Sequence, residues 1–170
     1  MAEIQNHHAA TSRLSIVLPA KNEAAALESL LPRLKVAQPG AEIIVVDDGS
    51  TDQTSALCEF HQVKTIIRPY SMGNGAAIKA GARAATGDVI VFMDADGQHD
   101  PSQIDQLVQR LEEGFDMVVG AREWSDQAGV GRGLANTFYN WLASRITGYQ
   151  VRDLTSGFRA VRADKFREFL

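Results

Sequence analysis

From Leu14 onward, short apolar runs alternate with amphipathic stretches of helical length. Leu14–Pro19 reads as a first strand closed by proline. Glu23–Ala37 follows as a helix with Leu27, Leu30, Leu31 and Leu34 on one stripe. Glu42–Asp47 is almost continuously apolar, as a strand covered on both faces must be. Asp48–Asp52 is a turn, with Ser50 or Thr51 capping a helix that ends near Phe60. A strand over Val63–Ile67 and a small-residue helix over Gly75–Ala85, stopped by Gly87, come next. They are followed by a strand over Asp88–Asp94. Pro101 then opens a helix with Ile104, Leu107, Val108 and Leu111 turned inward and Gly114 near its end. Asp116–Val119 reads as a further strand, Ser125–Gly133 as a glycine-rich loop, and Leu134–Thr147 as an apolar-faced helix. This alternation predicts an α/β fold: a mostly parallel, Rossmann-like sheet with right-handed crossovers and helices on both faces. The expected layout is a flexible N-terminal tail over residues 1–13 and one domain over residues 14–170. That domain stops at Leu170 inside what reads as an unfinished helix, as a C-terminally truncated domain would.

Composition narrows the class. With 45% hydrophobic and 22% charged residues in 170, the chain is that of a globular domain and not of a disordered one. A net charge of −4 provides no electrostatic footprint for general nucleic-acid binding. The single cysteine, Cys58, excludes an internal disulfide and a cysteine zinc site, and fits a reducing compartment. No apolar run reaches the ~18–20 residues a membrane span needs. The polar start lacks the apolar stretch of a signal peptide, so a cytoplasmic protein is expected.

Candidate chemistry sits where open parallel sheets bind ligands, beyond the carboxyl ends of the strands. Asp94 and Asp96 follow the apolar Val89–Met93 run and repel one another unless a cation joins them. With Gln98 as a third oxygen donor, they suit Mg²⁺ or Mn²⁺ held jointly with substrate phosphates. The plainer alternative is a solvated turn in which Asp100 caps the next helix; His99 reads as a packed residue. In Asp47–Asp52, Asp47 reads as structural, whereas the Asp48 carboxylate could accept N–H groups of a nucleobase or bind a ribose. Met72–Ala77 does not complete a dinucleotide fingerprint, since Ile78 stands where a third glycine belongs, and no Walker loop or nucleophile elbow occurs. Arg122 and Arg132, in loop positions, are the arginines best placed for phosphate. Asp153–Arg159 mixes an acid, two hydroxyls and an arginine around Gly157.

Taken together, Val17–Glu23, Val45–Asp52, Gly73–Ala77, Asp94–Pro101 and Thr155–Arg159 resemble the family-2 glycosyltransferases of GT-A fold. The resemblance is strongest to the branch that transfers sugars to dolichyl or polyprenyl phosphate. It implies an inverting transfer from a nucleotide-diphospho-sugar, such as GDP-mannose or UDP-glucose, with Mg²⁺ or Mn²⁺ as cofactor. It further implies that Pro19, Asn22, Glu23 and Asp48 contact the nucleoside. Asp94, Asp96 and Gln98 would hold the metal and diphosphate, and Arg122 and Arg132 would meet the diphosphate or the acceptor's phosphate. Asp153 would be the base if the acceptor were a sugar hydroxyl. Asn74 stands where many relatives have lysine, so a lysine–phosphate contact is not expected there. The acceptor would bring the protein to the cytoplasmic face of a membrane; nucleic acid is not an expected partner. Two rival readings are a transferase acting on a sugar hydroxyl and a non-catalytic nucleotide-sugar-binding domain. A nucleotidyltransferase would need a glycine-rich basic loop after the first strand, which Pro19–Asn22 does not supply.

Overall fold

Six strands form one sheet in the order β3-β2-β1-β4-β6-β5 in the computed structural model, which describes residues 12–120 and 156–170. The strands are β1 (Leu14–Ala20), β2 (Glu42–Asp47), β3 (Lys64–Ile67), β4 (Val89–Phe92), β5 (Met117–Val119) and β6 (Arg159–Arg162). The helices are α1 (Ala24–Ala37), α2 (Thr54–Phe60), α3 (Asn74–Ala84), α4 (Ile104–Glu112) and α5 (Ala163–Arg167), with a 3₁₀ turn at Pro101–Gln103 before α4. The expected loop over Ser125–Gly133, the expected helix over Leu134–Thr147 and most of the tail lie outside the described residues. Among the described residues no helix is long and apolar enough to cross a membrane.

The first four strands are parallel, paired through β1 with β2 and β4, and through β2 with β3. Their continuous apolar runs have a simple cause. Alternate residues serve opposite layers, so Ile16, Leu18, Val45 and Val91 pack with Leu27, Leu30, Leu34, Cys58, Ile104 and Leu111 of α1, α2 and α4. Val17, Ile44, Val46, Ile90 and Phe92 pack with Ala77 and Ala82 of α3 and Ala163 at the start of α5. Pro32 sits inside α1 on its exposed side, where the partner its ring removes is replaced by solvent.

The C-terminal part adds one element that the sequence did not predict and corrects another. Arg159–Arg162 is a strand, β6, inserted antiparallel between β4 and β5. Four residues with arginine at each end carry too little apolar signal, and their extended state comes from pairing along both edges. The helix expected to run through Leu170 closes at Arg167, after which the N–H groups of Glu168, Phe169 and Leu170 bond three residues back.

α3 lies close on the sheet because Gly81 has no side chain. A Cβ there would stand 2.2 Å from Val17 Cγ1 and 3.2 Å from Val46 Cγ2. Val17 is fully buried and rotamerically stiff, so it cannot give way. Gly81→Ala is therefore expected to lower the urea midpoint of unfolding, because overpacking of about 1–3 kcal/mol exceeds the ~1 kcal/mol gained in helix propensity. An unchanged or raised midpoint would contradict this packing.

Chain order also locates the ligand edge. Strands β1 to β3 progress outward in one direction, and the chain then returns through α3 to place β4 on the other side of β1. The reversal between β1 and β4 is the topological switch point at which open sheets present a crevice.

Candidate functional site

A cleft of about 320 Å³ opens at that switch point. Pro19 and Ala20 at the end of β1 wall it with Lys21 and Glu23 just beyond, Asp48 after β2, and Asp94 and Asp96 after β4; Ser71, Gly73 and Asn74 enter from the loop that precedes and opens α3. The structure thus brings together Pro19, Glu23, Asp48, Asp94 and Asp96, five of the residues singled out by sequence. Asn22 and Gln98 are not among the cleft-lining residues. Asn22 adopts a left-handed backbone (φ 57°), and its Oδ1 accepts the Thr51 N–H at 2.8 Å while its own N–H donates to Ser50 Oγ at 2.9 Å. It latches the β1 loop to the β2 turn. Gln98 is exposed, and its backbone N–H donates to Asp96 Oδ1 at 3.0 Å. Arg122, Arg132 and Asp153 lie outside the described residues.

The β2 turn is organised by acids, not by the hydroxyls expected to cap α2. Asp52 Oδ1 accepts the Thr54 N–H at 2.9 Å, and its Oδ2 accepts the Ala24 N–H at 3.2 Å, so one carboxylate serves the first turns of both α2 and α1. Ser50 and Thr51 are occupied with Asn22. Asp47, 1% exposed, accepts the Ser50 N–H at 2.8 Å and the Ser55 hydroxyl, in keeping with the structural role read for it.

Asp48 carries the densest set of hydrogen bonds at the cleft. Its side chain is buried, and its two oxygens take Arg68 Nη1 at 3.0 Å, Ser71 Oγ at 2.7 Å, Met72 N at 2.9 and 3.1 Å, and Gly73 N at 2.8 Å. A carboxylate has about four lone-pair sites, and these four donor groups face them in this arrangement. Burial pushes this carboxyl's pKa up, but the Met72 N–H, the Ser71 hydroxyl, Arg68 and the Gly73 N–H outweigh it and hold the pKa well below the usual range. Arg68 also donates to Ala76 O at 2.8 Å, tying the clamp to α3. The loop can lie so low because residue 49 is glycine at φ +74°, where a Cβ would come within 2.7 Å of the Tyr70 carbonyl carbon. In this arrangement Asp48 shapes the wall of the cleft, at the strand end from which the sequence reading has it meet the nucleoside. Arg68 and Ser71 were missed by sequence. The one available signal was an arginine directly after the short β3 run.

The acidic side of the cleft fits a shared cation. Glu23 has its carboxyl pushed above the usual range, by burial first and then by the charges of Asp96, Asp52 and Asp94. Among the described residues, no three His, Cys, Asp or Glu side chains form a ready cage. Mg²⁺ and Mn²⁺ do not require one where substrate phosphates and water complete the shell. Asp94 and Asp96 on one wall fit an ion of that kind. His99 is buried and stacks on Phe158, with ring centroids 4.8 Å apart, which is the packed role read for it.

The chain is similar to known proteins over most of its length. The chain is 35% identical over 161 residues to the undecaprenyl-phosphate 4-deoxy-4-formamido-L-arabinose transferase of Proteus mirabilis, covering 89% of this chain and 49% of that protein. It is 34% identical over 160 residues to the Klebsiella pneumoniae transferase of the same name, covering 88% and 49%. The chain therefore spans about half the length of the curated relatives it matches. Among solved structures, glucosyl-3-phosphoglycerate synthase of Mycobacterium tuberculosis with UDP superposes with a TM-score of 0.74 at 29% identity, over 91% of this chain and 58% of that one. The same enzyme with Mn²⁺, UDP and glucosyl-3-phosphoglycerate has a TM-score of 0.71 at 30% identity over the same shares. Mannosyl-3-phosphoglycerate synthase of Rubrobacter xylanophilus shares the GT-A fold, with a TM-score of 0.75 at 22% identity over 91% of this chain and 54% of that one. The sequence model of glycosyl transferase family 2 matches residues 15–170, and the chain belongs to that family.

Proposed function

We propose that the chain binds a nucleotide-diphospho-sugar in the cleft between β1 and β4 and transfers the sugar, with inversion, to a polyprenyl phosphate. The observation that carries this reading is the meeting of Asp94 and Asp96 with the Pro19–Glu23 and Ser71–Asn74 walls in one cleft at the switch point. The two relatives named above transfer to undecaprenyl phosphate by name, and the mycobacterial synthase was crystallised with UDP and Mn²⁺. Both support the assignment.

In this mechanism the walls at the end of β1 and before α3 hold the nucleoside, and Asp94 and Asp96 are the residues that would hold a divalent ion beside the diphosphate. The ion, when bound, neutralises charge that grows on the leaving diphosphate. An acceptor phosphate oxygen attacks the anomeric carbon from the face opposite the diphosphate. The carbon–oxygen bond to the β-phosphate breaks as the new one forms, and the electron pair departs with the nucleoside diphosphate. Because the nucleophile is already anionic, the protein's task is to bring two anions together. Arg122 and Arg132 are the residues we assign to that task. A lipid-linked acceptor would bring the reaction to a membrane, and we assign it to the cytoplasmic face.

The deciding measurement is the initial transfer rate from a panel of nucleotide sugars to undecaprenyl phosphate and to free sugars. Transfer to the lipid phosphate is expected, with Arg132→Ala weakening acceptor use and Asp153→Asn retaining substantial chemistry. Transfer to free sugars alone, abolished by Asp153→Asn by the ~10²–10⁴-fold a general base is worth, would replace the acceptor class.

A further inference from the structure

We infer that Gly157, with Phe158 beside it, is a positioning residue for the metal-holding carboxylates; this rests on the function proposed above. In the sequence the Thr155–Arg159 segment stands out only as one of the motifs that carry the family resemblance. The structure gives its described part, Ser156–Arg159, a definite place.

β6 pairs antiparallel with β4, with Arg159 opposite Phe92 and Ala160 opposite Val91. Continuing that register past the end of β4 sets Phe158 opposite Met93 and Gly157 opposite Asp94. The packing agrees. A Cβ built on Gly157 would lie 2.1 Å from Asp94 Oδ2 and 2.5 Å from its Cγ and Oδ1. The Asp94 carboxylate therefore rests directly on the backbone of residue 157, and no side chain fits between them. One residue on, the Phe158 ring is 2% exposed and stacks on His99, at the far end of the same acidic loop. Ser156, fully buried, accepts the Phe158 N–H through Oγ at 3.2 Å and so fixes the bend that presents both residues.

The loop from Asp94 to His99 is thus braced at both ends by two adjacent residues from a distant part of the chain. The middle of the loop carries Asp96, which is exposed and held only locally by the Gln98 N–H among the bonds described above. The spacing of the two carboxylates is consequently set by where β6 places Gly157 and Phe158. Supporting contacts of this kind commonly tune metal affinity by about 10–100-fold.

The test measures Mn²⁺ binding by the loss of the free-ion EPR signal, without nucleotide and with UDP, on the full chain at a temperature well below unfolding. Gly157→Ala is expected to weaken Mn²⁺ binding by about ten-fold or more, with the KM for undecaprenyl phosphate unchanged. Phe158→Leu keeps apolar volume but loses the ring stack; it should weaken Mn²⁺ in the same direction and serves if Gly157→Ala does not fold. A lowered Tm in folded variants that bind Mn²⁺ as wild type does would overturn the inference while leaving the proposed function standing. So would a raised acceptor KM with unchanged Mn²⁺ affinity. Wild-type protein that binds no Mn²⁺, with or without UDP, would overturn both.

Discussion

Asp96→Ala is expected to lower sugar transfer by roughly 10²–10³-fold, the usual effect of removing one preorganised group that stabilises leaving-group charge, and to do so without unfolding the protein. Asp96 is exposed, and its one hydrogen bond described here is the local one from the Gln98 N–H at 3.0 Å. Substitutions at such positions change stability by about 0.5 kcal/mol or less. Its expected contribution lies in the field it creates with Asp94, which is already felt by Glu23 across the cleft. Calorimetric titration of UDP with and without Mn²⁺ isolates that contribution. Wild type should bind UDP more tightly when Mn²⁺ is present, and Asp96→Ala should show little difference between the two conditions. Equal metal dependence in both proteins would remove Asp96 from the metal site. Asp94→Ala is a less direct probe, because it also empties the space against Gly157.

Which parts of this molecule were legible follows from how local their causes are. β1, β2 and β4 announce themselves because both faces of the sheet are covered, and Leu27, Leu30, Leu31 and Leu34 mark α1 because only one stripe of it is buried. The switch-point cleft follows from the same alternation, since strand order decides where polar strand ends converge. β6 was hidden, because its strand state depends on β4 and β5 as neighbours and Arg159–Arg162 carries no strong pattern of its own. The capping of α2 was misassigned for a related reason. Ser50 and Thr51 have the right chemistry, but Asn22 claims them from another loop, which leaves the Asp52 carboxylate to accept the first N–H of α2. Asp48 was legible only in part. Its position at a strand end was legible, whereas the donors that fill it come from residues 68–73, brought over by a backbone path that only Gly49 permits.

Asp48→Asn is accordingly expected to damage the fold as well as ligand binding. The carboxylate receives Arg68, Ser71, Met72 and Gly73. An asparagine provides one acceptor oxygen and turns an NH₂ group toward donors, so at least one buried donor loses its partner at ~1–3 kcal/mol. The Arg68 guanidinium also loses its counter-charge in a site where the two side chains are only 14% and 6% exposed; breaking such a pair costs about 3–5 kcal/mol. A total near 3–5 kcal/mol is expected, because the two losses overlap. The pH dependence identifies the source. The Asp48 pKa is depressed in the folded protein below its ordinary value of 3.8, so its stabilisation is fully present above that value and is lost as pH falls further. The gap between wild-type and Asp48→Asn unfolding free energies should be constant from pH 7 to about pH 5 and narrow below about pH 4. UDP affinity should fall alongside stability, since the same donors set the Ser71–Asn74 wall of the cleft. A variant as stable as wild type at every pH, yet impaired in UDP binding, would return Asp48 to the role of a direct nucleoside contact. It would also show that the loop from Arg68 to Gly73 opens when the donor enters.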